Sequence, residues 1–187
     1  MRVFLCLPVD PNLRESLEQL SYRLKRSLTV RATWVKPVNF HVTVRFLGEI
    51  DPMLTVDLER RCRAITDKIA PFDLLLDRLG AFPTMSRARV LWAGGEAAPE
   101  FKELIASVNV ALQEMGFKKD RKPSGSHITL ARIKGRVDPS VEATIHAQEG
   151  WPGHTLRVDR LILMESRLSP QGATYTPLFT LPFGGHG

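Results

Sequence analysis

Apolar residues recur along this chain with two different periods. Val3 to Leu7 form an unbroken apolar run, as a buried strand does. Beyond it, Leu13, Leu17, Leu20, Leu24 and Leu28 return every three or four positions, a spacing that gathers them on one face of a helix. Asp10-Pro11 opens that helix with an N-cap carboxylate and a proline whose missing N–H is not needed in the first turn. The same Asp-Pro signal stands at 51–52 before Leu54, Leu58, Cys62, Ile65 and Ile69, and at 138–139 before Val141 and Ile145. Pro99 opens a further stripe of Phe101, Leu104, Ile105, Val108 and Leu112. The pattern therefore predicts four helices, the one after Asp138 being the shortest. Between them lie strand-like runs at about 39–46, 72–79, 88–93, 127–132, 155–166 and 174–181, with ends placed to within ~2–4 residues.

One phrase occurs twice. Lys36-Pro-Val-Asn-Phe-His-Val-Thr-Val44 matches Lys122-Pro-Ser-Gly-Ser-His-Ile-Thr-Leu130, and Gly48-Glu-Ile-Asp-Pro52 after the first answers Gly135-Arg-Val-Asp-Pro139 after the second. The histidine-to-aspartate spacing is 10 residues in one copy (51 − 41) and 11 in the other (138 − 127). This is an internal repeat. No Ser/Gly-rich linker separates the copies, so residues 1–187 are expected to form a single domain of two interlocking lobes. The expected fold is α+β and bilobal: two pseudo-symmetric antiparallel sheets, helices packed outside and a central cleft. Strand alternation puts His41, Thr43 and Arg45 on one face and Val42, Val44 and Phe46 on the other. In the second copy His127 and Thr129 oppose Ile128 and Leu130. A pseudo-two-fold arrangement would turn both polar faces into the cleft and bring together histidines 86 residues apart (127 − 41).

Composition narrows the classes. The 187 residues are 43% hydrophobic, enough for a packed core without disulfides. No run of about 18 apolar residues is present to cross a bilayer, and the N-terminus lacks a signal-peptide pattern, so a cytoplasmic protein without a membrane partner is expected. Cys6 and Cys62 have no metal-ligand spacing and read as buried free thiols. The formal charge of +6 favours anionic partners without locating a site. The densest basic segment, residues 118–122, is as well explained by a solvated loop as by phosphate attraction. His146, His154 and His186 read as surface residues.

Two histidines near their ordinary pKa of roughly 6.5 can divide acid and base work at neutral pH. In hydrolysis of a phosphodiester, one neutral imidazole takes a proton from water while the other, charged, gives one to the departing oxygen. Threonines two residues along the same face could donate to the non-bridging oxygens, with a nearby arginine adding charge. A single His-x-Thr in a strand is more often structural, and duplication shifts the balance towards function. The sequence has no His-Glu-x-x-His, Cys-x-x-Cys or acidic cluster, no P-loop and no Gly-x-Ser-x-Gly elbow. Catalysis is therefore expected to need no metal and no cofactor.

These residues resemble the 2H phosphoesterases, and within them the RNA 2′,3′-cyclic phosphodiesterases also known as 2′-5′ RNA ligases. The resemblance rests on His41-Val-Thr-Val-Arg-Phe-Leu-Gly48 and His127-Ile-Thr-Leu-Ala-Arg132, with Trp34-Val35, Ala81-Phe-Pro83, Val90-Leu-Trp92, Glu165-Ser166 and Gly172-Ala-Thr-Tyr175 around them. It implies hydrolysis of RNA ending in a 2′,3′-cyclic phosphate to a 2′-phosphate, with 2′-5′ ligation as the reverse. By that analogy His41 is the proton donor to the leaving oxygen and His127 the acceptor that activates water. Thr43, Thr129 and Arg132 would hold the phosphate, although strict alternation from His127 turns Arg132 away. Arg45, Trp92 and Tyr175 are candidates for contacts to substrate or base. Partners would be RNA with cyclic phosphate ends or small nucleotides, met by a monomer. Ser126 departs from the family pattern, which commonly has proline before the second histidine. Two other readings stay open: a phosphodiesterase for small cyclic nucleotides, and a module that binds nucleotides or RNA ends without turnover.

Overall fold

A computed structural model of the chain describes residues 1–119, 125–135, 140–148, 151–170 and 172–184. Outside the described residues lie Asp120, Arg121 and Lys122 of the basic segment, the Asp138-Pro139 helix start and His186. Strand β1 (Arg2–Pro8) leads into α1 (Pro11–Ser27), whose N-cap Asp10 side chain accepts from the Leu13 amide at 2.8 Å. The leucine stripe from Leu13 to Leu28 is buried as the spacing requires. β2 (Ala32–Trp34), a 3-10 turn at Pro37–Asn39 and β3 (His41–Glu49) follow. α2 (Leu54–Thr66) starts later than Asp51-Pro52 suggested. The Asp51 carboxylate accepts from the Met53 amide in a preceding turn, so the signal marks that turn instead of the helix N-cap.

The chain continues through β4 (Phe72–Leu76), β5 (Arg78–Phe82), β6 (Val90–Gly95), α3 (Pro99–Glu114), β7 (Ser126–Ile133), α4 (Ser140–His146), β8 (His154–Val158), β9 (Arg160–Ser169) and β10 (Gly172–Pro182). Two runs expected as single strands are each two. The chain changes sheet after Leu76 and again after Val158, and among the described residues β4 and β8 pair only with each other. The remaining strands form an eight-stranded antiparallel sheet in the order β10-β9-β1-β3-β7-β6-β5, with β2 alongside β7.

That large sheet consists of two arms joined at a seam. β3 and β7 pair through Val42↔Ile128 alone, and each of these residues immediately follows its histidine. The pseudo-two-fold of the repeat therefore passes through this pair. On β1, Val3, Leu5 and Leu7 enter the main core with the stripes of α1, α2 and α3, while Phe4 and Cys6 face the other way with Ile162, Met164 and Tyr175. Helices thus cover one face of the sheet and leave the histidine face to the cleft. Both thiols are free and buried, and burial pushes each up to about 12.

Candidate active site

Each histidine starts its strand in the same way. The Nδ1 of His41 donates to the Asn39 carbonyl at 2.7 Å, and that of His127 to the Gly125 carbonyl at 3.0 Å. A carbonyl only accepts, so both Nδ1 atoms carry hydrogen and proton exchange falls to Nε2. Asn39 and Gly125 occupy equivalent places in the repeat, and only the backbone oxygen is used. Asn39 is buried, and its amide donates to the Ala173 carbonyl at 2.8 Å, tying the His41 anchor to β10.

Extending the antiparallel register by one residue either side of Val42↔Ile128 sets His41 across from Thr129 and Thr43 across from His127. Within β3, His41 Nε2 lies 3.1 Å from Thr43 Oγ1. The pair at the seam is buried while the two histidines and two threonines stay half-exposed, so all four reach the cleft. Aromatic rings flank both imidazoles. Phe4 and Tyr175 lie 4.8 and 5.5 Å from His41, and Phe82 and Trp92 lie 4.9 and 6.3 Å from His127, between ring centroids.

Alternation fails one step past each threonine, at the same place in both arms. The β1–β3 register pairs Cys6 with Thr43 but Leu5 with Arg45, and the β6–β7 register pairs Trp92 with Thr129 but Leu91 with Ala131. One extra residue in each case, Val44 and Leu130, makes a bulge, which shifts the side chains that follow to the opposite face. Arg45 therefore leaves the cleft. It is buried and donates to the Lys118 carbonyl beside the end of α3. Phe46 takes its place, 5.7 Å from Phe4. The bulge in β7 does the reverse for Arg132, which turns towards the cleft and whose charge acts on both His41 and Tyr175. The alternation-based placements of Arg45, Phe46 and Arg132 are corrected by these two bulges.

Burial, offset in part by the bond to Asn39, lowers His41 to about 4, with the charges of His127 and Arg132 adding to the effect. At pH 7 that leaves His41 neutral. Tyr175 is raised, mainly by burial. Ser126 is buried, and its hydroxyl donates to the Gly95 carbonyl at 3.0 Å, so the residue that departs from the family pattern fastens the start of β7 to β6. Gly94 pairs with His127. A Cβ there would stand 2.4 Å from the Ser126 oxygen and 3.0 Å from His127 Cα, so glycine lets the second histidine sit where it does. His154 is not a plain surface residue, since its Nε2 lies 3.0 Å from Asp10 at the start of α1. His146 is exposed near Glu142.

Phe4, Phe82, Asn39 and Gly94 were not singled out from the sequence as site residues. Alternation along β1 carried a signal for Phe4, and the Asn39/Gly125 equivalence lay within the repeated phrase. Phe82 lay in the Ala81-Phe-Pro83 stretch of the resemblance with no role attached to it, and nothing local marked Gly94.

The chain matches the family model described as LigT-like phosphoesterase over residues 7–92 and 95–175. It is 32% identical over 178 residues to an RNA 2′,3′-cyclic phosphodiesterase of Archaeoglobus fulgidus, covering 95% of this chain and 98% of that one. To the RNA 2′,3′-cyclic phosphodiesterase of Aeropyrum pernix it is 32% identical over 170 residues, covering 88% and 96%. A crystal structure of a Thermus thermophilus protein superposes with a TM-score of 0.82 at 26% identity over the full length of both chains. E. coli LigT complexed with 3′-AMP has the same fold, with a TM-score of 0.75 at 23% identity over 97% of each chain.

Proposed function

We propose that this chain, which belongs to the LigT-like phosphoesterase family, opens the 2′,3′-cyclic phosphate at the 3′ end of RNA to leave a 2′-phosphate and a free 3′-hydroxyl. The observation that carries the reading is the matched tethering of two imidazoles, each held through Nδ1 so that its Nε2 is left for proton transfer, with Thr43 beside that of His41. The two curated relatives above bear the name of this activity.

The mechanism assigns His127 Nε2 as the base that removes a proton from water as its oxygen bonds to phosphorus. The bond from phosphorus to the 3′-oxygen breaks, and His41 Nε2 gives that oxygen its proton. Exchange with solvent resets the pair. Each transfer contributes roughly 10²–10⁴-fold in rate. Thr43, Thr129 and Arg132 stabilise the charge that builds on the non-bridging oxygens. A donor must first be charged, and a pKa of about 4 leaves His41 neutral at pH 7. A phosphate anion beside it supplies the opposite charge that raises an imidazole, so substrate arrival itself loads the proton. The same two imidazoles serve when a 5′-hydroxyl attacks in place of water, which gives a 2′-5′ linkage as a minor reaction in water. No metal enters any step.

A short RNA with a 2′,3′-cyclic end, incubated with the protein in excess chelator, tests this. The expected product carries its phosphate on the 2′-oxygen. A 3′-phosphate, no conversion, or activity abolished by the chelator would contradict the proposal.

A further inference from the structure

The cleft floor does not end at Arg132. Beyond the bulge, Arg132 and Lys134 project from the same side of β7, two residues apart, and both are exposed. β2 lies antiparallel beside them. Thr33 pairs with Arg132, and the Lys134 amide donates to the Arg31 carbonyl at 2.7 Å, so Arg31 stands across from Lys134. Two cross-strand rungs result, Thr33/Arg132 and Arg31/Lys134, about 6.6–6.8 Å apart along the strand. That step is comparable to the separation of successive phosphates in an extended RNA strand.

Among the described residues no carboxylate pairs with the charges on these rungs. Residues 29–41 and 125–135 contain Arg31, Lys36, Arg132 and Lys134 and no carboxylate. Arg61, Arg63, Arg157 and Arg160 elsewhere each reach a carboxylate, whereas Arg31, Arg132 and Lys134 have no ion-pair partner among the described residues. In the other arm β3 carries Phe46 at the position of Arg132 (132 − 86), and an exposed cation near Tyr175 is Arg2 of β1. Beyond their bulges the two histidine strands thus differ in charge, β3 presenting Phe46 and β7 leading into Arg132 and Lys134.

We infer that Arg31 and Lys134 form a second phosphate subsite, one rung beyond Arg132, which holds the backbone linkage immediately 5′ of the terminal nucleoside. The inference rests on the proposed reaction and extends it: the substrate is an RNA chain, and a mononucleotide forgoes one of its contacts.

The test compares kcat/KM for a cyclic-phosphate-ended pentanucleotide with that for a 2′,3′-cyclic mononucleotide. Wild type should prefer the oligonucleotide. The Arg31→Gln/Lys134→Gln double variant should lower the ratio of the two values about tenfold and make the salt dependence of oligonucleotide KM shallower by about one unit of log–log slope. The mononucleotide value serves as the internal check on folding. A pentanucleotide carrying a neutral methylphosphonate at the linkage immediately 5′ of the terminal nucleoside should lose the same factor with wild-type protein, which needs no variant to fold. Turnover of neither substrate by wild type would be a failure of the proposed reaction. Turnover of both, with a ratio indifferent to the variant and to the neutral linkage, would overturn this inference alone.

Discussion

His41 shows how much one side chain can depend on its surroundings. Its ring is wedged against Phe4 and Tyr175, its Nδ1 is bound to Asn39, and burial draws its pKa from the ordinary 6.5 to about 4. Catalysis and stability then respond differently to pH. Because kcat/KM reports free enzyme and kcat reports the complex, the acid limb of kcat/KM should lie near pH 4 and that of kcat higher. Coincident limbs would refute charging of His41 by substrate. For stability, the unfolded chain takes up a proton below about 6.5 while the folded chain resists until about 4. The lowered pKa therefore costs nothing above 6.5, and stability is lost progressively as pH falls through that window. Between pH 7 and 5 the loss amounts to about 2 kcal/mol. His41→Gln, which has no proton to bind, should become more stable relative to wild type by that amount over the same interval, read by denaturant unfolding; an unchanged difference would mean that His41 is not held neutral.

The elements that place these residues were unequally visible in the sequence. The helices could be read because leucine stripes and a capping aspartate are local signals, and α1 matches its prediction through Asp10 and Leu13. The breaks after Leu76 and Val158 could not be read this way, since apolar periodicity says which residues are buried but not against which sheet. Bulges are similarly silent: nothing in Thr43-Val-Arg or Thr129-Leu-Ala announces an extra residue, yet Val44 and Leu130 decide that Arg45 is buried and Arg132 reaches the cleft. Close approach between strands was also out of view. Gly94 admits His127 where a Cβ would press on the Ser126 oxygen. Gly94→Ala is therefore expected to lower kcat at least tenfold through displacement of the β7 start, a magnitude in keeping with roughly ångström misplacement of a catalytic group. Normal kcat in a folded Gly94→Ala protein would show that this contact does not position the imidazole.

At the scale of the molecule, one internal duplication accounts for both the architecture and the site. The two copies meet at Val42↔Ile128, so each histidine is delivered to the seam by the strand that its own repeat supplies. This was legible because the repeated phrase spans the lead, the histidine, the threonine and the following glycine. The difference in charge between β3 and β7 was not legible, since it depends on the bulge in β7 and on β2 lying beside it. The net charge of +6 gave only its sign. The central claim is that the two imidazoles act as one acid–base unit on a phosphate between them. The most direct measurement is kcat/KM on the cyclic-phosphate-ended oligonucleotide for His41→Gln, His127→Gln and the double variant, each shown to be folded. Groups that work as a unit lose their effect together, so each single change should cost roughly 10²–10⁴-fold and the double change little more. Either single variant retaining near wild-type turnover, or losses that multiply, would contradict the account.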